Sequence, residues 1–219
     1  MPVKFNQYWT IIRGRNEEYD KFILKEFIPG TNRLGIHVVA GWSVLVGAYS
    51  EIIFESVSGD LHLLETALKD PAYKELNGRL LNYVKNYKTK VLVKTEKKDS
   101  YSTDIKEDTV KFNQMWNIIS DRKAPYDRFV VEEFYPCMEK LGITVAQEWE
   151  VLIGEGPHIL CEGRAQDVGS LIGNLQGEAF QRAKRQLKDF VEDYESRILS
   201  FHIQKVKGYK SASYKLSSV

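Results

Sequence analysis

The chain has 219 residues, of which 43% are hydrophobic and 28% charged, and a formal net charge of +1. This is the composition of an ordinary folded globular protein, and the near-zero charge gives no electrostatic case for nucleic acid or an anionic membrane as partner. There is no apolar run of 18 residues and no apolar signal core after Met1, and both cysteines, Cys137 and Cys161, fall in the second half, so a reduced, cytoplasmic protein is expected.

In chain order, Lys4 to Arg13 is rich in aromatic and β-branched residues and predicts a strand. Tyr19, Phe22, Ile23 and Phe27 follow at helical spacing, with Gly35 as the residue after the helix end. Pro29, late in that pattern, is expected to end or kink the helix. Ile36 to Gly47 and Glu51 to Val57 predict two strands joined by a turn at Ala48-Tyr49-Ser50. Asp60 then caps a long helical stripe through Leu61, Leu64, Leu68, Ala72, Leu76, Leu80, Val84 and Tyr87, divided by Pro71. Lys90 to Lys94 alternates as a last strand.

The pattern then starts again. A shift of 107 positions aligns Val3–Leu92 with Val110–Leu199 without a gap, and 33 of the 90 pairs are identical. Each copy is long enough to build its own core, which predicts two domains, 1–95 and 110–205, with a polar linker at 96–109 and a tail at 206–219. In the second copy Tyr126, Phe129, Val130 and Phe134 mark the first helix, and Val168, Leu171, Leu175, Ala179, Leu187, Val191 and Tyr194 mark the second. The order β-α-β-β-α-β, read twice, predicts an α+β fold of two ferredoxin-like repeats. Each sheet has one face under its own helices and a second apolar face to cover, so the repeats are expected to pack sheet to sheet as an intramolecular pseudo-dimer.

With its Tyr-x-x-Phe helix ending near Pro29 and its Gly41-Trp42-x4-Gly47 strand, the chain resembles the dimeric α/β-barrel superfamily, loosely its NIPSNAP and EthD-like branches. The resemblance implies architecture for both copies. The superfamily includes antibiotic-biosynthesis monooxygenases, haem-degrading enzymes, chlorite dismutase-like haem proteins, isomerases and members without an assigned activity, and no catalytic motif of any branch carries over.

Candidate chemistry comes from the second hairpin. If Glu155-Gly156-Pro157 is a three-residue turn, Glu150 faces Glu162 and Glu148 faces Arg164, with Gly154 beside His158. Two opposed carboxylates cannot both ionise freely, which would raise one pKa as acid/base work requires. This makes Glu162 and Glu150 the candidate catalytic pair, with Arg164, His158 and Glu148 nearby. An ordinary solvated sheet face with cross-strand ion pairs is the competing reading. Glu55 and Glu162 recur in both copies among apolar residues, as do Asn6 and Asn113, and these could orient a ligand or anchor the fold. The repeat-matched Trp42 and Trp149 are expected to be buried against their own helices.

The histidines His37, His62, His158 and His202 share no repeat position and form no metal-binding pair. No metal and no cofactor is expected, although one axial histidine would suffice for haem. The leading functional expectation is binding of a small apolar or aromatic molecule, with cofactor-free oxygenase- or isomerase-type chemistry open to it. A non-catalytic interaction scaffold and a haem protein are the alternatives, and homo-oligomer formation stays open.

Overall fold

The computed structural model of the protein describes residues 1–47, 52–97, 109–206 and 213–216. The expected turn at Ala48-Tyr49-Ser50, residues 98–108 of the expected linker, and 207–212 and 217–219 of the expected tail lie outside the described residues. The chain forms two compact units, one of Met1–Val44, Ala48–Val93 and Phe201–Val219, the other of Leu45–Gly47 and Lys94–Ser200.

The first unit runs β1 (Val3–Ile11), α1 (Asn16–Phe22), α2 (Ile28–Arg33), β2 (His37–Val46), β3 (Ile52–Ser58), α3 (Leu61–Lys69), α4 (Pro71–Leu80) and β4 (Val84–Lys94). The second repeats it as β5 (Val110–Ile118), α5 (Lys123–Phe129), α6 (Tyr135–Lys140), β6 (Thr144–Ile153), β7 (Ile159–Ala165), α7 (Val168–Gln176), α8 (Glu178–Leu187) and β8 (Val191–Val206). Both sheets are antiparallel, in the orders β2-β3-β1-β4 and β6-β7-β5-β8. These are two ferredoxin-like βαββαβ units, as the sequence predicts. A short strand β9 (Ser213–Leu216) pairs with the end of β8 inside the first unit.

Two local expectations need correction. Of the two outcomes expected at Pro29, an end or a kink, the helix does not end there, because the turn before it widens. Ile23–Phe27 is a π-helical segment in which the Ile28 N–H reaches back five residues to the Ile23 carbonyl. Such a bulge relieves the clash that a proline ring makes with the carbonyl four residues earlier, and the helix continues to Arg33. Pro136 sits behind the same device at Val130–Phe134. The long stripe also ends sooner than its spacing predicts. Val84 and Tyr87, like Val191 and Tyr194, belong to the last strands, not to a helix. Their spacing imitates a helix because a positive-φ residue, Asn86 or Asp193, interrupts the strand alternation there.

Other signals hold. The Asp60 carboxylate accepts from the Leu63 N–H, Asp70 caps the helix that opens with Pro71, and Gly35 takes the left-handed conformation with φ +83°. Trp9, Tyr19, Phe27 and Phe54 fill the space between sheet and helices in the first unit, as Trp116, Tyr126 and Phe134 do in the second. In each, the tryptophan indole donates to a tyrosine hydroxyl at 3.0 Å. No helix among the described residues is long and apolar enough to cross a membrane.

The end of β8 completes the first unit. Phe201 stacks on Trp42 at 4.2 Å, Ile203 is fully buried, and the His202 ring lies on Tyr19 at 5.9 Å. Burial pushes the His202 imidazole down to about 4. A histidine held neutral by the fold stabilises it fully above its unfolded pKa of about 6.5, and that stability is lost as pH falls from there toward 4. A shift of this size amounts to about 3 kcal/mol. Urea unfolding at pH 7 and pH 4 should therefore show the native protein losing about 3 kcal/mol more than His202→Phe. Equal losses would show that His202 is not held neutral.

Candidate functional site

The sequence-derived site depends on the register of the β6–β7 hairpin, and the structure moves that register by three residues. Glu150 pairs with Ile159, Trp149 with Leu160, Glu148 with Cys161 and Gln147 with Glu162. The reason is a longer loop, closed by the Val151 N–H on the His158 carbonyl at 2.7 Å, plus a bulge between Val145 and Gln147. An odd shift flips the faces. Glu150 is exposed on the side of Ile159, whereas Glu162 is buried on the other face, so the two carboxylates do not form a pair. His158 is exposed and bonds Asn117 Oδ1 through its backbone N–H at 2.9 Å, away from Glu162.

On the face turned away from the helices, each unit carries the same buried cluster. Lys111 Nζ lies 2.7 Å from Glu162 Oε1, and the Trp149 indole donates to Glu162 Oε2 at 3.2 Å. In the first unit Lys4 and Trp42 hold Glu55 in the same way, at 3.0 and 2.9 Å. All six side chains are buried. Trp42 and Trp149 are thus buried as expected, but away from their helices, because register and indole bonds place them beside the glutamates. Arg164 Nη2 is 3.7 Å from Glu162, and Asn113 sits between Glu162 and Arg197 across the strands. Asn6 donates to the Tyr8 hydroxyl at 3.3 Å, and the side-chain oxygens of Asn6 and Asn113 have no hydrogen-bond partner.

The helix-side face of the second unit holds a different cluster, which has no counterpart in the first. Registers align Glu148, Cys161, Gln114 and Ser196 in one row across β6, β7, β5 and β8. Glu148 is fully buried, and its Oε2 accepts from the Tyr126 hydroxyl at 2.7 Å and the Tyr135 hydroxyl at 2.6 Å. Its Oε1 meets Lys97 Nζ at 2.5 Å. Lys97 also reaches Asp127 at 2.9 Å and stands 4.9 Å from the centre of the Tyr126 ring. Thr95 pins this stretch by donating its backbone N–H to the Glu148 carbonyl at 3.0 Å. The segment expected to begin a free linker is therefore anchored at its start.

The charges follow from these contacts. Burial opposes the Lys97 charge, but Glu148 and Asp127 outweigh it and hold its pKa above the ordinary lysine value. Burial, joined by the nearby Glu148 charge, raises the Tyr126 and Tyr135 hydroxyls, so both stay protonated donors. Gln114 accepts from the Tyr194 hydroxyl at 2.8 Å, while its amide nitrogen, in a residue 1% exposed, has no partner. Tyr194 also lines a solvent-open depression of about 520 Å³ with Asn117, Gly156, Pro157, Asp193 and Glu195.

In the first unit the matching positions are Gly41, Phe54 and Ile28 in place of Glu148, Cys161 and Tyr135. A Cβ at Gly41 would lie 3.2 Å from Ile203 Cβ and 3.4 Å from the Phe54 ring, so a side chain there would have to push these neighbours aside. Replacing Phe54 by the smaller Cys161 makes room for a carboxylate in the second unit. Gln7 also finds what Gln114 lacks, donating to Tyr87 at 2.7 Å and Tyr73 at 3.3 Å, where Phe180 replaces Tyr73. The signal for this site was present in the sequence as loss of identity at 28/135, 41/148 and 54/161. The sequence register faces Glu148 toward Arg164, and so does not bring Lys97, Tyr126 and Tyr135 to it.

No group of three metal-binding side chains occurs among the described residues. His37, His62 and His158 are exposed, and the ring of His202 lies on Tyr19 with buried Phe201 and Ile203 as its chain neighbours.

No family model matches the chain, and no curated protein matches it significantly in sequence. Solved structures do match its fold. A candidate monooxygenase of Fusobacterium nucleatum superposes with a TM-score of 0.62 at 11% identity, covering 99% of this chain and 98% of that one. An anthrone oxidase-like protein gives 0.59 at 11% identity over 90% of both chains. A mutant chlorite dismutase of Candidatus Nitrospira defluvii gives 0.62 at 8% identity over 91% of both. The protein therefore has the dimeric α/β-barrel fold, built from two ferredoxin-like halves in one chain.

The duplicated cluster makes a stability prediction. Lys111→Met strands a buried glutamate beside a tryptophan and a more distant arginine, and should cost about 3–5 kcal/mol in urea unfolding. Adding Glu162→Gln should recover part of that loss. A single variant as stable as the native chain would show that the pair is not holding the second unit.

Proposed function

We propose that the second unit binds a small, largely apolar or aromatic molecule between its sheet and its helices, and that Glu148 moves a proton to or from it. The observation that carries this reading is the buried Glu148–Tyr126–Tyr135 cluster at positions where the first unit has Gly41, Tyr19 and Ile28. The fold is built without it in one half, so the other half does not need it for folding. Burying a carboxylate is costly unless every oxygen is hydrogen-bonded, and a protein bearing that cost in one half only has a use for the group there.

The parts suit proton transfer. Two neutral phenols keep one carboxylate oxygen occupied and fix the orientation of the other. Lys97 covers that second oxygen and would have to yield it to a ligand. Gln114 offers an unpartnered amide nitrogen to an oxygen of the bound molecule, and Tyr194, which bonds Gln114, is also among the residues that line the open depression. Abstraction of an acidic proton is the opening step of cofactor-free oxygenase- and isomerase-type chemistry. The likeness in fold to a candidate monooxygenase and an anthrone oxidase-like protein supports that class. Glu162 and Glu55 are assigned instead to anchoring, since both are tied to a lysine and a tryptophan in each half.

Ligand-observed NMR with 1-naphthol and anthrone tests binding, and deuterium uptake at the acidic methylene of anthrone tests proton transfer. The native chain should bind at least one of the two and speed the exchange. Glu148→Gln should slow the exchange by about 100-fold or more, the usual size of a general acid–base contribution. Exchange unchanged in Glu148→Gln would remove Glu148 from the chemistry, and no binding at all would leave the interaction-scaffold reading in its place.

A further inference from the structure

The seat of Lys97 indicates which ligand would suit this site, an inference that rests on the reading of the Glu148 cluster as a binding site. The Lys97 ammonium has one carboxylate at 2.5 Å, a second at 2.9 Å and an aromatic ring centre at 4.9 Å. Two carboxylates and a π-face are what a protein uses to hold an alkylammonium ion. The side chain is 11% exposed and Asp127 is 38% exposed, so the seat borders solvent on the Asp127 side and is closed on the Glu148 side.

A second observation lies further along the same row. The Gln114 amide nitrogen is buried and unpartnered, and two strand spacings, roughly 10 Å, separate Gln114 from Glu148. Cys161 lies between them, and Tyr126 and Tyr135 flank the Glu148 end. The row thus offers a cation seat, an apolar and aromatic middle, and a hydrogen-bond donor that lacks an acceptor.

We propose that this row is a binding site for a small aryl-alkyl amine, whose ammonium displaces Lys97 from between Glu148 and Asp127 and whose far oxygen accepts from Gln114. Lys97 is then a tethered stand-in for the ligand. It keeps Glu148 paired in the empty protein and competes with the free amine as an intramolecular partner. No bond is made or broken in the exchange; one ammonium replaces another, and the net charge of the seat is preserved. The first unit has Gly41, beside Ile203, where Glu148 stands in the second, and so lacks that carboxylate.

Tyramine and tyrosol test the assignment, since they share the phenol ring and differ in carrying an ammonium or a neutral hydroxyl. Calorimetric titrations of the full chain should show tyramine binding saturably and tyrosol weakly or not at all. Lys97→Ala should tighten tyramine by at least about 10-fold, the cost of competing with a tethered lysine, and leave tyrosol unchanged. Glu148→Gln should abolish the preference for the amine. If Lys97→Ala does not fold, the native chain decides: tyramine bound no better than tyrosol overturns the proposal, and saturable tyramine binding lost in Glu148→Gln upholds it. Binding of 1-naphthol or tyrosol without any preference for tyramine would sink the ammonium seat and leave the proton-transfer reading standing. Failure of all aromatic probes would sink both.

Discussion

A carboxylate taken out of water must have its solvation replaced by the protein, and the second unit is arranged around that demand at Glu148. Two phenol hydroxyls and one ammonium supply what water would have supplied. The identity of several other residues follows. Cys161 is small because Glu148 needs the space that Phe54 fills in the first unit. Tyr135 replaces Ile28 because the carboxylate needs a second donor. Lys97 is held at the start of a polar segment because a buried anion with no counter-charge would cost several kcal/mol.

The two halves show what the fold needs and what it does not. The Lys–Glu–Trp cluster on the faces turned from the helices is present in both, with nearly the same distances, and behaves as common structure. The π-helical bulge ahead of each proline and the indole–tyrosine bond are likewise shared. The helix-side row differs in kind. One half closes it with Phe54, Ile28 and Ile203, and the other lines it with Glu148, Cys161 and Tyr135. Duplication therefore provides an internal control: the first unit is the same fold without the polar row.

Much of the fold was legible because periodicity and punctuation are local. The 107-residue repeat, the Asp60 cap, the break at Pro71 and the turn at Gly35 each rest on a few neighbouring residues. What failed was non-local. The hairpin register depends on a loop closure between Val151 and His158 and on a bulge after Val145, neither of which has a strong signature in residue type. The three-residue difference turns Glu148 to the wrong face and pairs Glu162, whose own face is right, with Glu150. Lys97 was invisible for a related reason. Its partner lies 51 residues away, and a lysine in a charged, aperiodic stretch reads as solvated.

The most direct test of the account makes the second half resemble the first at the row itself, by combining Glu148→Gly, Tyr135→Ile and Cys161→Phe in the full chain. Replacing a buried ionic cluster by apolar side chains of suitable volume is often neutral or stabilising. Urea unfolding should thus find the triple variant folded and no less stable than the native chain. NMR titration should find that it has lost every aromatic ligand the native chain binds. A variant that fails to fold, or one that folds and binds the same ligands, would contradict the claim that the row exists for binding and not for the fold.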